Sequence, residues 1–231
     1  MGPIAVALLV AFFIGYIFWG EIVELAIRKP AFGRAQFFTD KLIQHTLPGT
    51  VLDIGTGAGH IAALLSRTGM TVSAVDVRAH VLYVGMWLIG APCARRLAQT
   101  DRIELATYDG EHLPYKSSRF DNVTILFVLH HAADEMAVLK EALRVLRVGG
   151  RLIILEDTPE DARQRQTNAI SDALLNAEVH SEGRNHSKEE WRAIFDSLGA
   201  VRLVNEASFD SSMFRYLHFY HTMFVLQKVG E

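Results

Sequence analysis

Charge is missing altogether from the start of this chain, where no Asp, Glu, Lys or Arg occurs between Pro3 and Gly20. Cysteine is nearly absent as well. Cys93 stands alone, which excludes an intrachain disulfide and any cysteine-based metal cluster. No excess of basic residues exists either: 23 Lys and Arg face 26 Asp and Glu, for a formal net charge of −3. That balance leaves no basic face for a nucleic-acid partner. Internal repeats, low-complexity tracts and interior linkers are also lacking. What is there is ample apolar material, 50% of the 231 residues, enough for one α/β domain and a short appendage.

The appendage is the uncharged run itself. Eighteen residues of helix rising ~1.5 Å each reach ~27 Å, close to the ~30 Å hydrocarbon core of a bilayer. Tyr16 and Trp19 close the run, as interfacial aromatics do. No Lys or Arg precedes it and no small-residue cleavage site follows, so a cleaved signal peptide fits poorly. The expectation is therefore an apolar N-terminal helix over residues 1–28, a transmembrane anchor, followed by a domain over 29–231. Arg28, Lys29 and Arg34 follow the run, which puts that domain on the cytoplasmic side. The competing reading packs the helix against the domain or a partner subunit. A second apolar stretch, Val81–Ala91, is too short to span a bilayer and reads as a buried helix face or a surface that meets lipid or a greasy substrate.

Along the domain, short apolar runs alternate with helical spacing. Val51–Ile54, Thr71–Val75, Ile103–Tyr108, Asn122–Leu129 and Leu152–Leu155 read as buried strands. Helices are expected over Thr39–Thr46, His60–Arg67 and Asp134–Leu146, the last closed by Gly149-Gly150. Beyond the fifth strand, Asp161 to about Glu178 reads as a helix, and Ser187 with Glu190 forms a capping-box pattern at the start of another. Val201–Ala207 and Tyr220–Gln227 follow as two last strands. The alternation predicts a doubly wound, Rossmann-like parallel sheet with helices on both faces.

Chemistry concentrates at Asp53-Ile54-Gly55-Thr56-Gly57-Ala58-Gly59, which runs from a strand through a turn into a helix. Glycines there permit positive φ and close ligand approach, and the helix start offers unpaired N–H groups. The G-x-G-x-G spacing differs from the dinucleotide G-x-G-x-x-G/A pattern, and no P-loop lysine follows. Asp76 closes the second strand, where a carboxylate can take both hydroxyls of a ribose. Asp109, Gly110 and Glu111 follow the third strand, and Leu143-Arg144-Val145-Leu146-Arg147-Val148-Gly149-Gly150-Arg151-Leu152 reads as a helix turning through paired glycines into the fifth.

With these motifs the chain resembles the class I S-adenosylmethionine-dependent methyltransferases. Within them it is similar to the small-molecule branch that includes the ubiquinone and menaquinone C-methyltransferases. Tyr108-Asp109-Gly110-Glu111-His112-Leu113-Pro114-Tyr115, Arg119-Phe120-Asp121 and Val128-Leu129-His130-His131 also carry that likeness. It covers roughly Thr39 to Thr158 well and the rest loosely. The resemblance implies a seven-stranded sheet whose last strand runs antiparallel, and S-adenosyl-L-methionine as cofactor. It places Asp53 near the methionine ammonium, with Gly55, Thr56, Gly57 and Gly59 in the turn beneath the ligand. Asp76 would hold the ribose and Val77 the adenine. Asp109 would face the adenine amine beside Gly110, and Phe127 would lie near the sulfonium end.

His130 and His131 close the fourth strand, at the edge where ligands bind in open α/β sheets. Either a backbone-bonding role or proton transfer suits them, with His131 preferred as the catalytic base if one is used. No histidine pair has metal spacing, so no metal is expected. The expected acceptor is a lipophilic small molecule: a quinone precursor, a phenolic or a lipid. A non-catalytic, membrane-tethered cofactor-binding partner and a nucleotide-dependent oxidoreductase are the competing classes.

Overall fold

The strands fall where apolar residues are densest, and their alternate side chains feed two separate cores. The computed structural model describes residues 33–77, 98–99, 101–176, 185–214 and 217–230. The apolar segments Pro3–Gly20 and Val81–Ala91 lie outside them. Among the described residues no helix is long and apolar enough to cross a membrane.

The elements run α1 (residues 33–43), β1 (Thr50–Ile54), α2 (His60–Arg67), β2 (Thr71–Val77), β3 (Glu104–Tyr108), β4 (Phe120–Leu126), a 3-10 turn (Leu129–His131), α3 (Glu135–Val145), β5 (Leu146–Asp157), α4 (Ala162–Asn176), α5 (Lys188–Ser197), β6 (Val201–Phe214) and β7 (Leu217–Lys228). The strand order is β3-β2-β1-β4-β5-β7-β6. Strands β1 to β5 pair in parallel, and β7 runs antiparallel to both β5 and β6. The expected seven-stranded sheet with an antiparallel last strand is therefore present.

One face of the sheet buries Leu52, Ile54, Val123 and Ile125 under α3 and α5, with Trp191 and Phe195 closing that core. The other buries Val51, Val72, Ala74 and Ile153 under Phe38 and Leu42 of α1 and Ala62, Ala63 and Leu65 of α2. Each fully buried Leu, Ile or Phe stabilises by about 1.5–3 kcal/mol relative to exposure. Helix α5 begins with the full capping box: the Ser187 hydroxyl accepts from Glu190 N–H, and the Glu190 carboxylate accepts from Ser187 N–H.

Several boundaries differ from the sequence expectation: the first helix covers residues 33–43, β5 begins at Leu146 and β6 runs on to Phe214, and two further differences bear on the site. The fourth strand stops at Leu126 rather than Leu129, because Phe127 takes φ 58° and the chain turns into the 3-10 segment. The paired glycines do not close α3, which already ends in extended backbone at Leu146. They form an irregularity inside β5, where the register with β4 shifts. A Cβ on Gly150 would stand 2.8 Å from Arg147 O and 2.9 Å from Asp121 O, so two backbones approach too closely there for a side chain. The buried Lys228 ammonium donates to the carbonyls of Leu143 and Leu146 and so serves the end of α3.

Candidate cofactor and acceptor site

At the carboxyl edge of the parallel strands the register lines up Ile54 with Val75 on one side and Ile125 on the other. Asp53 is therefore central in the sheet and 3% exposed. Its Oδ1 accepts from the Thr124 hydroxyl at 2.8 Å. Burial pushes the Asp53 carboxyl up to about 6, with the Thr124 hydrogen bond opposing and the Asp76 charge adding to the rise. No cationic side chain among the described residues offsets it. A buried carboxylate in that position is the complement of an ammonium.

The turn that follows is held from two sides. Gly55 N–H and Thr56 N–H donate to the Val75 carbonyl, at 2.9 and 3.1 Å. Asp76 takes the Gly57 N–H on Oδ2 at 2.7 Å and the Val77 N–H on Oδ1 at 2.8 Å. Gly55, Gly57 and Gly59 all have positive φ, of 71°, 53° and 77°, and Gly59 is the N-cap of α2. The space around Gly57 and Gly55 is unequal. A Cβ on Gly57 would meet no atom within 4 Å, whereas one on Gly55 would lie 2.2 Å from Val128 Cγ2. One glycine keeps a cradle open and the other makes room for a neighbouring loop. The Thr56 hydroxyl, also buried, acts with Thr124 to lower the Asp53 carboxyl against the rise from burial. An open cradle beside a buried carboxyl fits the polar end of an amino-acid-bearing nucleoside.

Val77 and Gly110 are neighbours, since a Cβ on Gly110 would lie 3.6 Å from Val77 Cγ1. Tyr108 pairs with Val77 across β2 and β3, and its phenol is pushed up to about 12 by burial and by the charges of Asp76 and Asp109. Asp109 itself is exposed and closes its own loop. Its Oδ1 accepts from His112 N–H and Glu111 N–H, and its Oδ2 lies 3.1 Å from His112 Nδ1. These bonds hold its carboxyl down at about 2. Asp53, Gly55, Thr56, Gly57, Gly59, Asp76, Val77, Asp109 and Gly110 thus share one edge of the sheet.

Phe127, expected near the sulfonium end, is placed by its ring contacts. Its ring packs 5.3 Å from Phe38 and 5.1 Å from His221, centroid to centroid, with the Arg34 guanidinium 5.2 Å away. The side chain over the glycine turn is Val128. The same edge of the sheet also holds two buried histidine–carboxylate pairs. His130 Nδ1 lies 2.6 Å from Glu156 Oε2, and His221 Nδ1 pairs with Asp157. His131 is half-buried beside His130, with ring centroids 3.8 Å apart.

Val128, Thr124, Glu156 and the Asp157–His221 pair were not legible as site residues from the sequence. One signal for Glu156 existed: a carboxylate directly after the apolar run Leu152–Leu155, at the edge where ligands bind.

A family model described as a methyltransferase domain matches residues 52–154. Among curated proteins, a demethylmenaquinone methyltransferase from Clavibacter sepedonicus is 39% identical over 106 residues, which span 46% of this chain and 40% of that protein. A ubiquinone/menaquinone biosynthesis C-methyltransferase from Pseudomonas putida is 41% identical over 110 residues, 46% of this chain and 41% of that one. The matched stretch thus covers about two-fifths of these relatives' lengths. A solved structure of geranyl diphosphate C-methyltransferase from Streptomyces coelicolor, in complex with magnesium, geranyl diphosphate and S-adenosyl-L-homocysteine, superposes with a TM-score of 0.63. It is 16% identical and covers 84% of this chain and 79% of its own, so it speaks for the fold. Sheet order, glycine turn and matched domain together make the chain similar to the S-adenosylmethionine-dependent methyltransferases, and over the matched stretch the quinone C-methyltransferases are the branch it resembles.

Proposed function

We propose that this chain transfers a methyl group from S-adenosylmethionine to a small lipophilic acceptor, a quinone precursor or related phenolic, at a membrane surface. The observation that carries the reading is Asp53, a buried carboxyl without a cation, set beside the open side of Gly57. Bound S-adenosylmethionine supplies a methyl carbon on a sulfonium sulfur, and the protein's task is to align and to exclude water. Asp53 would take the ammonium, Asp76 the ribose hydroxyls, and Val77 with Gly110 the adenine. Val128, leaning on Gly55, would close the turn from the acceptor side.

The lipophilic acceptor and the membrane location rest on the sequence, through the uncharged run Pro3–Gly20, and on the names of the curated relatives. Residues 1–28 are read as the anchor, with the domain on the cytoplasmic side. Calorimetric titration of the full chain with S-adenosylmethionine and S-adenosylhomocysteine, with NAD as control, tests the cofactor. Micromolar binding of both sulfur compounds and none of NAD is expected. Methyl transfer from labelled cofactor to a demethylmenaquinol or a prenylated phenol tests the acceptor. Flotation with vesicles, before and after deletion of residues 1–28, tests the location. A folded truncated chain that still floats refutes the anchor.

A further inference from the structure

Glu156 stands near the end of β5, 1% exposed, directly after the apolar run Leu152–Leu155. A carboxylate at that depth persists only where its lone pairs are filled. Three donors fill them. Oε1 accepts from Val128 N–H at 2.9 Å and Leu129 N–H at 2.7 Å, and Oε2 faces His130 Nδ1 at 2.6 Å.

Two consequences follow. The chain leaving β4 is pinned to the end of β5 instead of continuing the ladder, which keeps Val128 against Gly55. And because an ionised carboxylate only accepts, Nδ1 of His130 carries the proton, leaving Nε2 as that ring's acceptor nitrogen. The His131 ring, 3.8 Å from His130 and tilted by 47°, shares this environment.

Resting on the methyltransferase reading above, we infer that Glu156 and His130 are positioning residues for His131. Glu156 fixes the Nδ1–H tautomer of His130, and the pair holds His131 ready to take the proton of an acceptor hydroxyl. The acceptor class this serves is a phenol or enol. Its O–H bond breaks with the electron pair left on the acceptor, and the proton passes to a nitrogen of His131. The acceptor bonds to the methyl carbon as the carbon–sulfur bond breaks, its pair going to sulfur, and His131 later releases the proton to water. A positioned base of this kind contributes roughly 100- to 10,000-fold.

The discriminating variant is Glu156→Gln. Its amide oxygen can still accept both backbone N–H groups, so the turn survives. Its NH2 donates toward His130 Nδ1 and forces the opposite tautomer. Histidine 15N spectra of the full chain with S-adenosylhomocysteine should show Nδ1–H at His130 in the wild type and Nε2–H in the variant. S-adenosylhomocysteine affinity should stay within about twofold, while kcat toward a demethylmenaquinol, the reduced form that carries the phenolic hydroxyls, falls about 100-fold at unchanged KM for the cofactor. An Nε2–H His130 in the wild-type chain overturns the inference, whether or not the variant folds. So does wild-type kcat in Glu156→Gln or in His131→Gln. Wild-type protein that binds S-adenosylhomocysteine but methylates no phenol refutes the acceptor class, and the tautomer then judges the pair separately.

Discussion

Replacing Gly55 or Gly57 by alanine changes the same residue type two positions apart, yet the structure demands opposite outcomes. Both have positive φ, where a Cβ costs roughly 1–2 kcal/mol. At Gly57 nothing else is met, so Gly57→Ala should lose only that, lowering Tm by about 2–8 °C. At Gly55 the new methyl would stand 2.2 and 2.9 Å from the two Val128 γ-carbons. Val128 has to move, and overpacking adds about 1–3 kcal/mol. Gly55→Ala should therefore destabilise by about 2–5 kcal/mol. Val128→Ala removes both offending methyls, so the double variant should be less destabilised than the single effects add up to, by about 1–2 kcal/mol. The cofactor affinities should rank the other way in relation to stability. Gly57→Ala, nearly as stable as wild type, should bind S-adenosylhomocysteine about 10- to 100-fold more weakly, because its methyl fills the cradle. Urea denaturation and calorimetric titration on the same samples read both. Equal stabilities for the two variants, with no coupling to Val128, would refute the packing argument. Wild-type affinity in Gly57→Ala would refute the cradle.

Three further outcomes follow from the same edge and from α5. The Asp53 carboxyl lies at about 6 in the folded chain against an ordinary 3.8, so the native state prefers its protonated form. Its contribution to stability is complete below about 3.8 and is lost as pH rises through about 6, a change of about 3 kcal/mol. Asp53→Asn should accordingly gain stability over wild type between pH 4.5 and pH 8 in urea denaturation. A difference that does not vary with pH contradicts the burial argument. Asp76→Ala strips the acceptor from the Gly57 and Val77 N–H groups and, under the proposed function, from the ribose. S-adenosylhomocysteine affinity should fall by roughly 10- to 100-fold, and near-wild-type binding counts against the assignment. Ser187→Ala removes one half of the capping box and should cost about 1 kcal/mol with cofactor affinity unchanged. A thermal melt with and without S-adenosylhomocysteine distinguishes that local loss from damage to the site.

Much of this protein was legible one residue at a time. Strand β1, the glycine turn and α2 could be read because buried parallel strands are continuous apolar runs, and because positive φ in a ligand turn selects glycine. Asp76 and the Ser187–Glu190 box were likewise legible, since each acts on backbone groups of its own segment or of a turn whose motif is recognisable. The sequence determined the order of elements, the doubly wound sheet and the class of cofactor.

Tertiary structure alone decided what meets across the strands. Glu156 and Val128 are 28 residues apart, and only the pairing of β4 with β5 turns a carboxylate after an apolar run into the clamp of the 3-10 turn. The same register ended β4 at Leu126, although the residues beyond it are apolar enough for a strand. It also turned Phe127 toward Phe38 and His221 and gave the place over Gly55 to Val128. Propensity and periodicity register only which residues prefer burial. Which buried group satisfies which donor is a matter of three-dimensional register, and that is where the acceptor half of the site was set.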